Sequence, residues 1–175
     1  RRSTKNVWWD GECFADILKA HGIPIVRRRD LKHIDYDIIW SLVYPFIIEG
    51  ELIEKARVGL NLHEAPLPKF RGCNGYSHAI LDGDATYGTS LHILDTELDN
   101  GDLIDQEVFS IDPDETNKEL YVRTMFVSNQ LFKRNIPLVA EMSFTRTPMD
   151  TSSEPIRPRS SLMEMKRIPD GELDR

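Results

Sequence analysis

Basic residues are in deficit in this chain. Its 22 Lys and Arg against 29 Asp and Glu leave a formal charge of −7 over 175 residues. Nucleic-acid binders carry a basic footprint, so the balance argues against a polyanionic partner. The densest basic stretch, Arg27-Arg28-Arg29, reads as a solvated turn before the next strand rather than a phosphate-binding patch. Long apolar runs are missing too. None reaches the length of a bilayer span, and no basic start leads into an apolar stretch, so the chain reads as soluble and cytosolic. Cysteine is scarce. Cys13 and Cys73 lie far apart, and two free thiols in a reducing compartment is the better reading. The five histidines and two cysteines form no CxxC or HExxH cluster, so no metal site is expected.

What is present suffices for one core. With 40% hydrophobic residues, the prior is a single domain. Asp10 suits the N-cap of a helix running to about Ala20, with Phe14, Ile17 and Leu18 on one face and Gly22 as the stop. Ile23 to Val26 reads as a short strand, with Pro24 at its start or edge. Asp37 to Tyr44 barely alternates and reads as a buried parallel strand ended by Pro45. A short helix over about Glu49 to Ala56 then leads to a strand, Val58 to Leu62. Strand, helix and strand in succession indicate an α/β sheet with crossover helices.

Beyond a proline-rich loop, Gly75 to Leu81 reads as helix and Gly88 to Leu94 as strand. Leu103 to Phe109 is the expected antiparallel or edge neighbour after the Asp-Asn-Gly turn. Thr116-Asn117-Lys118-Glu119 is a capping box. It opens a helix with Leu120, Val127 and Leu131 inward until about Arg134, and Pro137 is expected to interrupt any continuation. From Thr145 onward Pro, Ser, Arg and Glu dominate, with only Leu162 to Met165 suggesting a turn of helix. The chain is therefore divided at 144/145, into a core and an extended or partly disordered C-terminal arm.

The chemistry gathers between Asn61 and Asp102. Asn61 and His63 stand two apart in a strand-to-loop passage and so point to one side, which at a strand's C-terminal end faces the ligand crevice of α/β proteins. The plainer alternative is a loop-satisfying Asn and a surface His. An amide can hold an oxyanion, an imidazole can move a proton and a carboxylate can orient the imidazole, a set suited to acyl transfer to an amine. The loop Leu67-Pro68-Lys69-Phe70-Arg71-Gly72 offers Lys69 and Arg71 to a phosphate-bearing acceptor, or packs by Phe70 with both charges solvated.

These motifs, Asn61-Leu62-His63, the Leu67 to Gly72 loop, Gly83-Asp84 with Gly88, and Leu98-Asp99-Asn100-Gly101-Asp102, recur in the order and spacing of a known family. The chain resembles the folate-dependent formyltransferases. The resemblance implies a Rossmann-like, mostly parallel α/β core, and catalysis by Asn61, His63 and Asp99. Within that implied set, Asn61 would bind the oxyanion and His63 would move the amine proton or stabilise the oxyanion as imidazolium. Asp99 would orient His63 and raise its pKa. Asp102 is the rival carboxylate, with turn capping as its simpler role. The donor implied is 10-formyltetrahydrofolate, its pterin held by Trp40, Ser41, Leu42, Val43 and Tyr44 and by Ile93, Leu94, Asp95 and Thr96. Glu64 and Ala65 replace a frequent Pro-Ser, and Glu97 a frequent Gly; neither change removes a catalytic group. The strand and crossover that begin such a fold are not evident, so N-terminal elements are expected to be missing.

Within the resemblance, the acceptor is expected to be a nucleotide-linked amino sugar. The stretch after Asp99 is short and largely acidic or polar, unlike the basic C-terminal domain of methionyl-tRNA formyltransferases. The partners expected are that sugar and the folate, with a homodimer as the assembly considered, and neither nucleic acid nor membrane. The alternatives are the methionyl-tRNA or another branch of the family, or a non-catalytic folate- or nucleotide-binding homologue.

Overall fold

A computed structural model describes residues 14–162. The chain divides into two compact units, Arg1–Tyr36 and Asp37–Arg175. In the first, helix α1 spans Phe14–Ala20 and a 3-10 turn spans Arg28–His33. Gly22 ends α1 as expected, its N–H on the Lys19 carbonyl and that of Ile23 on the Leu18 carbonyl. Asp10, the expected cap, lies outside the described residues. Ile23 to Val26, expected as a strand, pairs with no other strand among the described residues, and Ile23, Ile25 and Val26 are exposed.

The second unit is built on a four-stranded sheet in the order β1 (Ile38–Leu42), β2 (Val58–His63), β3 (Thr86–Ile93), β4 (Leu103–Ser110). Strand β1 runs parallel to β2, with helix α2 (Gly50–Lys55) in the crossover; β2/β3 and β3/β4 are antiparallel. The expected mostly parallel sheet is thus a mixed one among the described residues. The link from β3 to β4 is a turn, too short for the crossover a parallel pair requires.

Alternation along these strands separates core from site. Val58, Leu60, Leu62 and Leu91 share one face and pack with Leu131 and Val139 of helix α4 (Asn117–Ala140). Trp40 joins them edge-on to Phe132, with ring centroids 4.9 Å apart. Each fully buried leucine here stabilises the fold by roughly 1.5–3 kcal/mol. On the opposite face, Ser41 is the register partner of Asn61, and Asn61 of His92. A second cluster joins Ala65, Phe70, Ala79 and Tyr87 to Leu120, beside helix α3 (Gly75–Leu81).

The capping box forms as read: the Thr116 hydroxyl accepts from Glu119 N–H and the Glu119 carboxylate accepts from Thr116 N–H. The helix does not stop near Arg134, however. It continues through Pro137 to Ala140. Proline removes one backbone donor, but the continuation buries Val139 in the core at 1% exposure, which offsets that loss. The inward stripe is Leu120, Thr124, Ser128, Leu131, Asn135 and Val139. Val127, expected inward, is half-buried, and Ser128 holds the Thr89 hydroxyl at 2.8 Å in its place. The described part of the expected arm lies against the core at two bridges, Thr147 with Leu103 and Arg157 with Gly72.

Candidate active site

Three segments meet where β2 ends. Strand β2 delivers Asn61 and His63, the loop after it delivers Phe70 to Gly72, and the turn between β3 and β4 delivers Asp99. Asp99 is 7% exposed, and its carboxylate is the hub. One oxygen accepts from Gly72 N–H at 2.8 Å. The other receives the Asn61 amide at 3.4 Å and lies 3.7 Å from His63 Nδ1. Asp102, the rival, contributes its backbone carbonyl to Ile93 N–H.

The two loops are shaped for this. Phe70 and Asp99 both adopt positive φ, 63° and 49°, a conformation that L-residues hold only when their surroundings impose it. Gly101 closes the Asp99 turn against β3, where a Cβ would stand 2.1 Å from the Ile93 carbonyl oxygen. Gly72, at φ 92°, lies so close to Arg157 that a Cβ would meet its carbonyl oxygen at 2.3 Å. Arg71 braces both loops. It is 6% exposed and donates to the carbonyls of Asp99 at 3.1 Å, Leu98 at 2.7 Å and Glu154 at 3.4 Å.

His63 Nε2 lies 3.0 Å from the Phe70 carbonyl. A carbonyl only accepts, so Nε2 carries the proton and Nδ1 presents its lone pair toward Asp99. The tautomer is thus fixed by a backbone carbonyl, not by the carboxylate. Burial pushes the His63 pKa down, and Asp99 and the Phe70 bond raise it without restoring it. Asp99 acts on it in the expected direction, and burial outweighs it. Asp99 itself is pushed up by burial, but its hydrogen-bonding surroundings, the Gly72 N–H among them, hold it below the usual carboxylate value.

His92 is the group that sequence reasoning missed. It is 1% exposed and donates from Nδ1 to the Ile93 carbonyl at 2.8 Å. Its Nε2 therefore accepts the Asn61 amide at 3.0 Å and stands 3.7 Å from Asp99. The signal was the alternation: a polar residue between Leu91 and Ile93, on the face shared with Asn61.

A cleft of about 270 Å³ opens beside these groups. Asn61, His92 and Asp99 line it, whereas His63, with 14% of its side chain exposed, is not in the wall. Of the residues expected to hold the folate, Ser41, Tyr44, Leu94, Asp95 and Thr96 line the cleft. Trp40, Leu42, Val43 and Ile93 do not, and the side chains of Trp40 and Ile93 pack on the α4 face. Apolar residues of the segment after β1, Pro45 to Ile48, form much of the remaining wall, with Gly72, Cys73 and Arg159 also contributing. Lys69 and Arg71, expected at a phosphate, are absent from the wall. Lys69 pairs with Asp84 and lies 4.8 Å over the Phe70 ring, and Arg71 is spent on its three carbonyls. No His, Cys, Asp and Glu cluster among the described residues has a metal-binding arrangement. No helix among them is long and apolar enough to cross a membrane.

The formyl transferase family matches residues 27–136 of this chain. The bifunctional polymyxin resistance protein ArnA of Wigglesworthia glossinidia brevipalpis is 30% identical over 129 residues, 68% of this chain and 20% of its own length. The methionyl-tRNA formyltransferase of Alkaliphilus oremlandii is 28% identical over 149 residues, covering 79% of this chain and 48% of that protein. The chain thus spans half or less of the length of these curated relatives. In fold it is similar to an N-formyltransferase from Helicobacter canadensis, solved in complex with folinic acid and dTDP-3-aminofucose. That similarity has a TM-score of 0.79 at 22% identity, covering 91% of this chain and 60% of the other. With a family match over more than half of its residues, the chain belongs to the formyl transferase family.

Proposed function

We propose that this chain transfers a formyl group from 10-formyltetrahydrofolate to the amine of a nucleotide-linked amino sugar, with Asn61, His63 and Asp99 as its catalytic set. The carrying observation is their convergence: one Asp99 oxygen within 3.4 Å of the Asn61 amide and 3.7 Å of His63 Nδ1. Neutral His63 assists removal of the proton that the attacking amine loses, and Asp99, which lies between its Nδ1 and the cleft groups, stabilises the imidazolium formed. Asn61 donates to the oxyanion that develops on the formyl carbonyl. Its 3.4 Å bond to Asp99 is the long one of its two, and it is the one that such an oxyanion replaces. Collapse returns the proton to the folate nitrogen as the carbon–nitrogen bond to it breaks.

The cleft suits a flat, polar bicyclic ring. Aliphatic and aromatic side chains from Tyr44 to Ile48, with Leu94, offer the faces. The strand ends at Ser41 and at Asp95 to Thr96 offer polar edges. The nucleotide-sugar acceptor is supported by the relative solved with dTDP-3-aminofucose and by the −7 charge. A second reading, methionyl-tRNA as acceptor, is favoured by the Alkaliphilus relative.

The deciding assay offers 10-formyltetrahydrofolate with either a panel of nucleotide-linked amino sugars or methionyl-tRNA. Formylation of a sugar is expected. Formylation of methionyl-tRNA alone would move the chain to the tRNA branch, and folate binding with no transfer to any amine would leave a non-catalytic homologue.

A further inference from the structure

From the geometry of the cleft wall we infer that Arg159 is the phosphate-binding residue of this site, holding the diphosphate of the nucleotide acceptor; the inference rests on the acceptor proposed above. An anionic acceptor needs a cation within reach, and the obvious pair is occupied elsewhere. Lys69 is engaged by Asp84 and the Phe70 ring, and buried Arg71 is spent on three backbone carbonyls. Arg159 is the only Lys or Arg among the described residues that line the cleft. Its neighbours in the wall include Gly72 and Cys73 of the loop whose Gly72 N–H holds Asp99. Among the described residues its guanidinium makes no ion pair with any carboxylate.

The backbone that carries Arg159 is fixed on both sides. Two residues earlier, Arg157 N–H donates to the Arg71 carbonyl at 2.9 Å and its carbonyl accepts Cys73 N–H at 2.8 Å. At the residue itself, the Asn74 amide donates to the Arg159 carbonyl at 3.2 Å. Two residues later, Ser161 Oγ meets the same amide at 3.3 Å and His78 Nε2 at 2.9 Å. The Arg159 side chain is exposed, but it stands on an anchored backbone at the cleft wall, and its planar fork is free to take two oxygens of a phosphate.

Both substrates are anionic, so the test measures dissociation constants for a nucleoside diphosphate and, separately, for tetrahydrofolate, using the parent chain and Arg159→Ala. Loss of one charge-assisted contact should weaken the diphosphate by roughly ten- to a hundredfold, with tetrahydrofolate within about twofold of parent serving as the control for folding. Arg159→Lys should recover part of the loss. Equal diphosphate affinity in parent and Arg159→Ala overturns the assignment. So does weakened tetrahydrofolate with an unchanged diphosphate, which would place the guanidinium on the donor's carboxylates. If the parent binds tetrahydrofolate but no nucleoside diphosphate, the acceptor class itself fails, and that is distinguishable because it appears before any substitution.

Discussion

The Asn61 amide donates to His92 Nε2 at 3.0 Å, from a histidine whose other nitrogen is tied to the Ile93 carbonyl. Because Nδ1 must donate to that carbonyl, Nε2 has only a lone pair to offer, and this fixes which end of the Asn61 amide faces Asp99. His92 is thus a positioning residue for the oxyanion donor.

His92→Phe should therefore lower kcat with little change in the KM for the folate. A lost hydrogen bond and a freed Asn61 rotamer correspond to roughly a tenfold to hundredfold effect. His92→Gln, which keeps an acceptor in reach, should recover part of it. A KM effect without a kcat effect would show that His92 serves the cleft wall only.

His63→Ala should abolish most turnover, by roughly a hundred- to ten-thousandfold, while tetrahydrofolate still binds, because His63 lies outside the cleft wall. Turnover within a few-fold of parent would remove His63 from the reaction.

The pH profile tests the Asp99 carboxylate. The reaction requires neutral His63, so the acid limb of kcat/KM follows its titration. Burial lowers that pKa and Asp99 opposes the fall. Asp99→Asn removes the opposition, so the acid limb should move to lower pH while kcat drops for want of imidazolium stabilisation. A limb that stays in place, or moves up, would contradict the electrostatic role.

Arg71→Ala should behave as a structural lesion. Three backbone carbonyls lose a donor, one of them buried, and an unsatisfied buried group costs about 1–3 kcal/mol, so the melting temperature should fall by several degrees. An unchanged melting temperature with a raised acceptor KM alone would restore Arg71 as a phosphate ligand.

Gly101→Ala should also destabilise the chain, since its Cβ would overlap the Ile93 carbonyl oxygen at 2.1 Å. Melting curves with and without tetrahydrofolate measure this. A neutral result would mean that the Asp99 turn has room to shift.

Much of the sheet was legible because the sequence announces it locally. Val58 to Leu62, Leu103 to Phe109 and the Thr116–Glu119 capping box each carry a signal within a few residues, as does the Asn61-Leu62-His63 passage. His92 carries one as well, in its alternation with Leu91 and Ile93, but it belongs to no motif. The failures have tertiary causes. Pro137 reads as a stop until Val139 finds its place against Leu131 and Val58. Lys69 and Arg71 read equally as phosphate ligands or as solvated charges on a packed loop, and their contacts with Asp84 and with the carbonyls of Leu98, Asp99 and Glu154 depend on tertiary approach. Arg159 came close to the cleft through pairing between Arg157 and Gly72, which no local pattern encodes.

That pairing makes a late segment of the chain part of the reaction's geometry. Gly72 supplies a donor to the Asp99 carboxylate, and Gly72 is flanked by Arg71 and Cys73, both latched to Arg157. A chain cleaved ahead of Glu154 would keep every side chain assigned to catalysis and lose the latch that aligns them. Proteolytic nicking in this stretch would then act as an off-switch that leaves the reacting groups chemically untouched.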